Sequence, residues 1–229
     1  MKLSEKTLEL NFCYQFPALS KCNVLWLGLT QRQEAQEGFD ACAKMHGRLI
    51  IFQFKAPSKA LASYKFKLNH EQLKALIETS ITFDAEVYYA FPLLSVMAEI
   101  THKPNVPACT WLMDVSMLPK LSKIPVSNAK QPMHSVLIQP DKAIASFTSR
   151  INGRAQRPLN IKIFPATVLA EKLSLTFSES KGGEIQDFDE VTAEALPQAR
   201  QYKLTGTENS EGTKVSAVAG VFTKRKPAS

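Results

Sequence analysis

The chain lacks several marks that would place it quickly. Its four cysteines, Cys13, Cys22, Cys42 and Cys109, form no Cys-x-x-Cys pair. Cys42 and His46 lie close together, but no second ligand pair accompanies them, which argues against a zinc site. The cysteines read instead as small buried thiols of a reducing compartment. No stretch reaches the roughly 20 uncharged apolar residues that a membrane helix needs. The opening Met1-Lys2-Leu3-Ser4-Glu5-Lys6 is not the apolar run of a signal peptide, so the expected location is the cytoplasm, with no membrane partner. There is no internal repeat. A glycine-rich phosphate loop, a Gly-x-Ser-x-Gly elbow and a dinucleotide fingerprint are all missing, which removes the nucleotide and serine-hydrolase motifs from consideration.

What is present is an ordinary soluble composition. The 229 residues are 45% apolar and 21% charged, enough for a real core. The formal charge is +7, and from Lys181 onward seven basic and seven acidic residues cancel. The whole excess therefore lies in the first 180 residues. A basic core favours polyanions such as nucleic acid, or it simply aids solubility. We expect one α/β domain over residues 1–180 and a polar, flexible tail over 181–229, with a short helix near Val191–Arg200. The basic run Lys224-Arg225-Lys226 is either a phosphate contact or a solvated terminus.

Periodicity gives the elements. Leu8 to Tyr14 alternates and reads as a first strand. Leu19 to Asn23 reads as a turn, and Val24 to Leu27 is a short apolar run. Thr30 with Gln33 forms a capping-box pattern, opening a helix through Glu34 that stops at Gly38. Phe39 to Ala43 is extended, His46-Gly47-Arg48 turns, and Leu49 to Lys55 is a strand buried on both faces until its end. Pro57 forbids its extension. Those two segments form a hairpin, or at least two adjacent strands. Tyr64 to Leu68 alternates, and Asn69 caps a helix with Gln72 in the box and Leu73, Leu76 and Ile77 as its apolar face. Glu86 to Phe91 is a strand ended by Pro92, Leu93 to Ile100 a short helix, and Thr110 to Val115 a strand. Ser135–Ile138 and Ala143–Phe147 form a late strand pair. Strands alternating with helices predict a mixed sheet with helices on its faces.

One constellation carries chemistry. Asp40 begins one extended segment. Gln53 and Lys55 end the next with one residue between them, so they share a face. Glu34 sits on the preceding helix, with Glu37 as the competing choice. An acid, an amide oxygen and an ammonium at one sheet end suit phosphodiester hydrolysis. A hard divalent cation needs oxygen ligands, and a nearby lysine orients water and stabilises developing charge.

A helical Glu, then Gly38-Phe39-Asp40, then an apolar strand ending in Gln53-Phe54-Lys55 resembles the restriction endonuclease-like (PD-(D/E)XK) nuclease superfamily in its Gln-x-Lys variant. The likeness is tight over about residues 30–60; Phe39 stands where the family has proline. It implies a mixed central sheet flanked by helices and a Mg²⁺- or Mn²⁺-dependent endonuclease acting on DNA, in the setting of bacterial, antiviral defence. It also implies that Asp40 and Gln53 bind the metal, that Lys55 assists the attacking water, and that a first-helix Glu, here Glu34, joins the site. Alternatives stay open. The chain could be an inactive nuclease-fold subunit that binds nucleic acid or a protein partner, it could form a homodimer, and its polymer could be RNA.

Other residues read as structural. His70 packs near a helix start, His102 and His134 sit exposed in loops, and Asp114 caps the turn before Leu118. Tyr88, Tyr89 and Phe91 divide between core and surface.

Overall fold

Ser4 opens the architecture. Its Oγ accepts the Thr7 amide at 3.1 Å, and helix α1 (Glu5–Ser20) follows. The computed structural model describes residues 2–28, 39–45, 48–58, 64–83, 85–102, 105–118, 124, 132–151 and 154–179. The chain divides into two units, Met1–Lys181 and Gly182–Ser229, and the described residues all belong to the first. The expected helix near 191–200, the helix from Thr30 to Gly38 and the turn at His46-Gly47 lie outside the described residues.

Helix α1 corrects the strand expected over Leu8–Tyr14. Leu8, Phe12 and Phe16, spaced by four, are fully buried, while Leu10 and Tyr14 are 60% and 85% exposed. The same segment fits a period of 2 and a period of 3.6, and the Ser4 cap decides for the helix. The helix runs to Ser20 before Lys21 turns left-handed, so the turn begins later than Leu19.

Strands β1 (Leu25–Gly28), β2 (Ala41–Met45) and β3 (Arg48–Phe54) form an antiparallel meander. Strand β4 (Tyr64–Asn69) leaves it, and α2 (His70–Phe83) leads back to β5 (Glu86–Pro92), which pairs parallel to β3. The expected cap is present: Asn69 Oδ1 accepts the Glu71 and Gln72 amides at 2.8 and 3.3 Å. Helix α3 (Met97–His102) starts later than Leu93, and β6 (Thr110–Asp114) pairs antiparallel with β5. Asp114 Oδ1 caps the following turn through Ser116 N at 2.8 Å, the structural role expected of it.

Strands β7 (Met133–Gln139) and β8 (Ile144–Thr148) pair around a turn in which Ala143, not a strand residue, takes φ 50°. A small hairpin, β9 (Arg150–Ile151) and β10 (Arg154–Ala155), precedes β11 (Leu159–Lys162), β12 (Phe164–Pro165) and helix α4 (Ala166–Glu179). The first sheet has the order β1-β2-β3-β5-β6-β12, and the second β11-β8-β7-β4.

Alternation along β3 and β5 divides the interior. Ile50, Phe52, Phe54, Tyr88 and Ala90 face α1 and α4, where they pack with Phe12, Phe16, Leu169 and Leu173. Ile51, Val87, Tyr89 and Phe91 face the second sheet and α2, against Phe66, Leu68, Leu73, Val136 and Phe147. The first sheet is thus buried on both faces, which explains the unbroken apolar run Leu49–Phe52. The architecture is mixed α/β, with a mixed central sheet and helices. No helix among the described residues is long and apolar enough to cross a membrane.

Candidate functional site

Register builds the site. Ala41 lies opposite Phe52, and Asp40 N donates to Phe52 O at 3.2 Å, so Asp40 falls opposite Gln53 one step past the ladder. Gln53 in turn lies opposite Tyr89 on β5. Residues level with one another across a sheet project from the same face, so Asp40, Gln53 and Tyr89 form a row.

Asp40 Oδ2 accepts from Gln53 Nε2 at 2.5 Å and from Phe54 N at 2.7 Å. The second Gln53 amide hydrogen goes to Phe54 O at 3.1 Å. Lys55 N continues the parallel ladder to Ala90 O at 3.0 Å. The Lys55 side chain is only 11% exposed, and its Nζ lies 3.4 Å from Glu5 Oε2. Glu5 also accepts the Ala56 amide at 3.3 Å through Oε1. Asp40 and Gln53, picked out from sequence, thus bond directly, while the Lys55 side chain pairs with Glu5 and reaches Asp40 through its charge. Glu34 and Glu37 lie outside the described residues.

Burial sets the electrostatics. Desolvation raises the Asp40 pKa above the ordinary carboxylate value. The Lys55 charge and the bonds from Phe54 and Gln53 pull it back, and Glu5 pushes it up again. The Tyr89 phenol is driven upward by full burial first and by the Asp40 charge second, which places that hydroxyl within reach of the carboxylate's field.

Two of the three buried side-chain polar atoms without a hydrogen-bond partner among the described residues belong to this row: Gln53 Oε1 and Tyr89 OH. A buried acceptor left open costs about 1–3 kcal/mol. Of the oxygen donors a hard cation takes, the row offers a desolvated carboxylate and an open amide oxygen, while both Glu5 oxygens are engaged with Lys55 and Ala56 N. Among the described residues, no group of three or more His, Cys, Asp or Glu gathers into such a site. Any cation here would rest on Asp40 and on the neutral oxygen of Gln53.

Glu5 and Tyr89 were not singled out as site residues from sequence. Glu5 stands 50 residues from Lys55 and reaches it only through the packing of α1; its one local signal is its place directly after the Ser4 cap. Tyr89 enters through the parallel register. Tyr88, Tyr89 and Phe91 are all buried, so the expected division of these rings between core and surface does not occur.

His134 requires a second correction. Expected to be exposed, it is 1% exposed and sits on β7, because that strand lies inside the second sheet and turns the residue inward. His70 Nδ1 meets His134 Nε2 at 2.9 Å, and His134 Nδ1 meets Ser149 Oγ at 2.8 Å. Desolvation, then the neighbouring His70, lowers the His134 pKa to about 4. His102 is exposed, as expected. No family model, no curated protein and no solved structure matches this chain.

Proposed function

We propose that the protein is a divalent-metal-dependent nuclease of the restriction endonuclease-like type that hydrolyses phosphodiester bonds in DNA. One observation carries this reading: Asp40 and Gln53 bond to each other at the end of a fully buried strand, with Lys55 electrostatically coupled to the same carboxylate. The connectivity supports it as well, with an antiparallel meander, a crossover through α2 and a parallel strand whose end frames the site.

Asp40 and the Gln53 amide oxygen would hold Mg²⁺ or Mn²⁺. A half-turn of the amide exchanges its NH₂ for Oε1 beside Asp40. Such an ion, when bound, neutralises phosphate charge and makes water more acidic. Lys55 holds the attacking water by hydrogen bonding and stabilises charge that develops on the phosphate. The resemblance gives the first-helix carboxylate role to Glu34, which lies outside the described residues, while Glu5, 3.4 Å from Lys55 Nζ, would hold that ammonium in place.

The test is cleavage of supercoiled plasmid with Mg²⁺ or Mn²⁺. Asp40→Ala and Lys55→Ala should each abolish it while the circular dichroism spectrum stays native. Full activity in both variants would overturn the site. A second reading, a non-cleaving nuclease-fold subunit that binds nucleic acid or a protein, draws on one feature: Gln53 presents amide hydrogens, not a charge, to Asp40. Intact plasmid with every divalent metal, together with retained DNA binding, would establish it.

A further inference from the structure

We propose that the face of the second sheet turned away from the core is a platform for the phosphate backbone of duplex DNA. The inner face of that sheet is closed by Phe66, Val136, Ile138, Ala145, Phe147 and Ile161 in the core. The outward residues alternate with these: Lys65, Lys67, Ser135, Ser146, Thr148, Asn160 and Lys162 are polar or basic, with Met133, Leu137 and Ile144 as apolar members among them. Lys65 stands level with Leu137, Ser146 and Asn160, and Lys67 stands level with Ser135 and Thr148. Lys162 lies opposite Ile144 at the other edge. Lys67 Nζ donates to Ser135 Oγ at 3.1 Å and Ser146 Oγ to Asn160 Oδ1 at 2.8 Å, so polar side chains of neighbouring strands bond across the face. Beside it, Arg150, Arg154 and Arg157 stand exposed on and just after the β9–β10 hairpin.

Charge selects the occupant. Residues 64–69 and 132–165 hold seven basic side chains and one acidic, Asp141, a net of +6 against +7 for the whole chain. Among the described residues, none of the three sheet lysines or three hairpin arginines makes an ion pair with a carboxylate. Such one-signed charge matches a polyanion. Duplex DNA carries a charge about every 3.4 Å along each strand.

Position ties this face to the site. Ser58 donates its N–H and its hydroxyl to Lys65 O at 2.8 and 2.7 Å, three residues after Lys55. Three residues of chain span at most about 11 Å, roughly three phosphates along one strand. Lys65 on β4 is thus tied through Ser58 to a point within about 11 Å of Lys55 along the chain. The platform goes beyond the nuclease reading and rests on it only for the choice of DNA as polyanion.

The experiment is fluorescence anisotropy with a labelled 20-base-pair duplex, the full chain and no divalent cation, at several salt concentrations. Two variants are compared with wild type: Lys65→Ala/Lys67→Ala, and Arg150→Ala/Arg154→Ala/Arg157→Ala. A control, Lys2→Ala/Lys21→Ala, removes exposed lysines elsewhere. Each platform variant should lose about tenfold or more in affinity, and its salt slope should fall by about 0.9 for every phosphate contact removed. The control should bind as wild type does. Unchanged binding in both platform variants, or losses as large in the control, would overturn the platform. So would binding of polyglutamate or phosphatidylserine vesicles as tight as that of DNA. Binding through the sheet without any cleavage supports the platform and removes the nuclease reading; cleavage with unchanged binding in the sheet variants does the reverse.

Discussion

The Asp40–Gln53–Tyr89 row of the first sheet and the His70–His134–Ser149 cluster of the second are both polar and both buried, yet they are closed to different degrees. In the histidine cluster, both ring nitrogens of His134 have partners within 2.9 Å. A single proton satisfies that ring: whichever nitrogen carries it donates, and the other accepts. Among the described residues, Gln53 Oε1 and Tyr89 OH of the Asp40 row have no partner, and the row holds a carboxylate whose burial disfavours its charge. A closed cluster stabilises the fold. An open one costs stability, and under the proposed function a bound ligand would complete its bonding.

The comparison can be broken with substitutions. The largest effect expected is on activity. Asp40→Ala should reduce plasmid cleavage by about 10²–10³-fold or more, while His134→Ala leaves the rate per folded molecule near wild type. An equal loss in both would erase the distinction. Next comes stability. His134→Ala strands His70 and Ser149 in the core and should cost about 2–4 kcal/mol by urea denaturation. A cost below about 0.5 kcal/mol would mean that the cluster is ornamental.

The two clusters should also respond to pH with opposite sign. The folded pKa of His134 lies below the ordinary histidine value. Its contribution is present above about pH 6.5 and drains away as pH falls towards about 4. Melting temperature should fall through that window in wild type and fall less in His134→Gln. Asp40 runs the other way. Its folded pKa is raised, so its contribution is full below the ordinary carboxylate pKa and is lost as pH rises through the raised value. Asp40→Asn should therefore melt higher than wild type at neutral pH, with the gap closing as pH falls into the carboxylate range. The smallest effect belongs to Tyr89→Phe. Removing an unpartnered hydroxyl should leave stability unchanged or raise it by about 1 kcal/mol; a clear loss would show that the hydroxyl already has a partner.

Local pattern made much of this legible. The run Leu49–Phe54 announces a doubly buried strand, and Asn69 with its downstream amides announces a helix start. Asp40, Gln53 and Lys55 were readable because a hairpin register depends only on neighbours in sequence. The N-terminal helix was hidden by an alternation that fits two periods. Glu5, Tyr89 and His134 could not be read locally. Glu5 meets Lys55 through helix packing, Tyr89 meets Gln53 across a parallel crossover, and His134 meets a partner 64 residues away. Helix α4 has a local signal too: Leu169, Ala170 and Leu173 follow a helical spacing and are buried.

The central claim is that Asp40 and Gln53 share a cation. Calorimetric titration of Mn²⁺ into the DNA-free protein tests it directly. The account predicts binding by wild type that disappears in Asp40→Ala with the fold intact. Binding of the same affinity and stoichiometry in both proteins would contradict it.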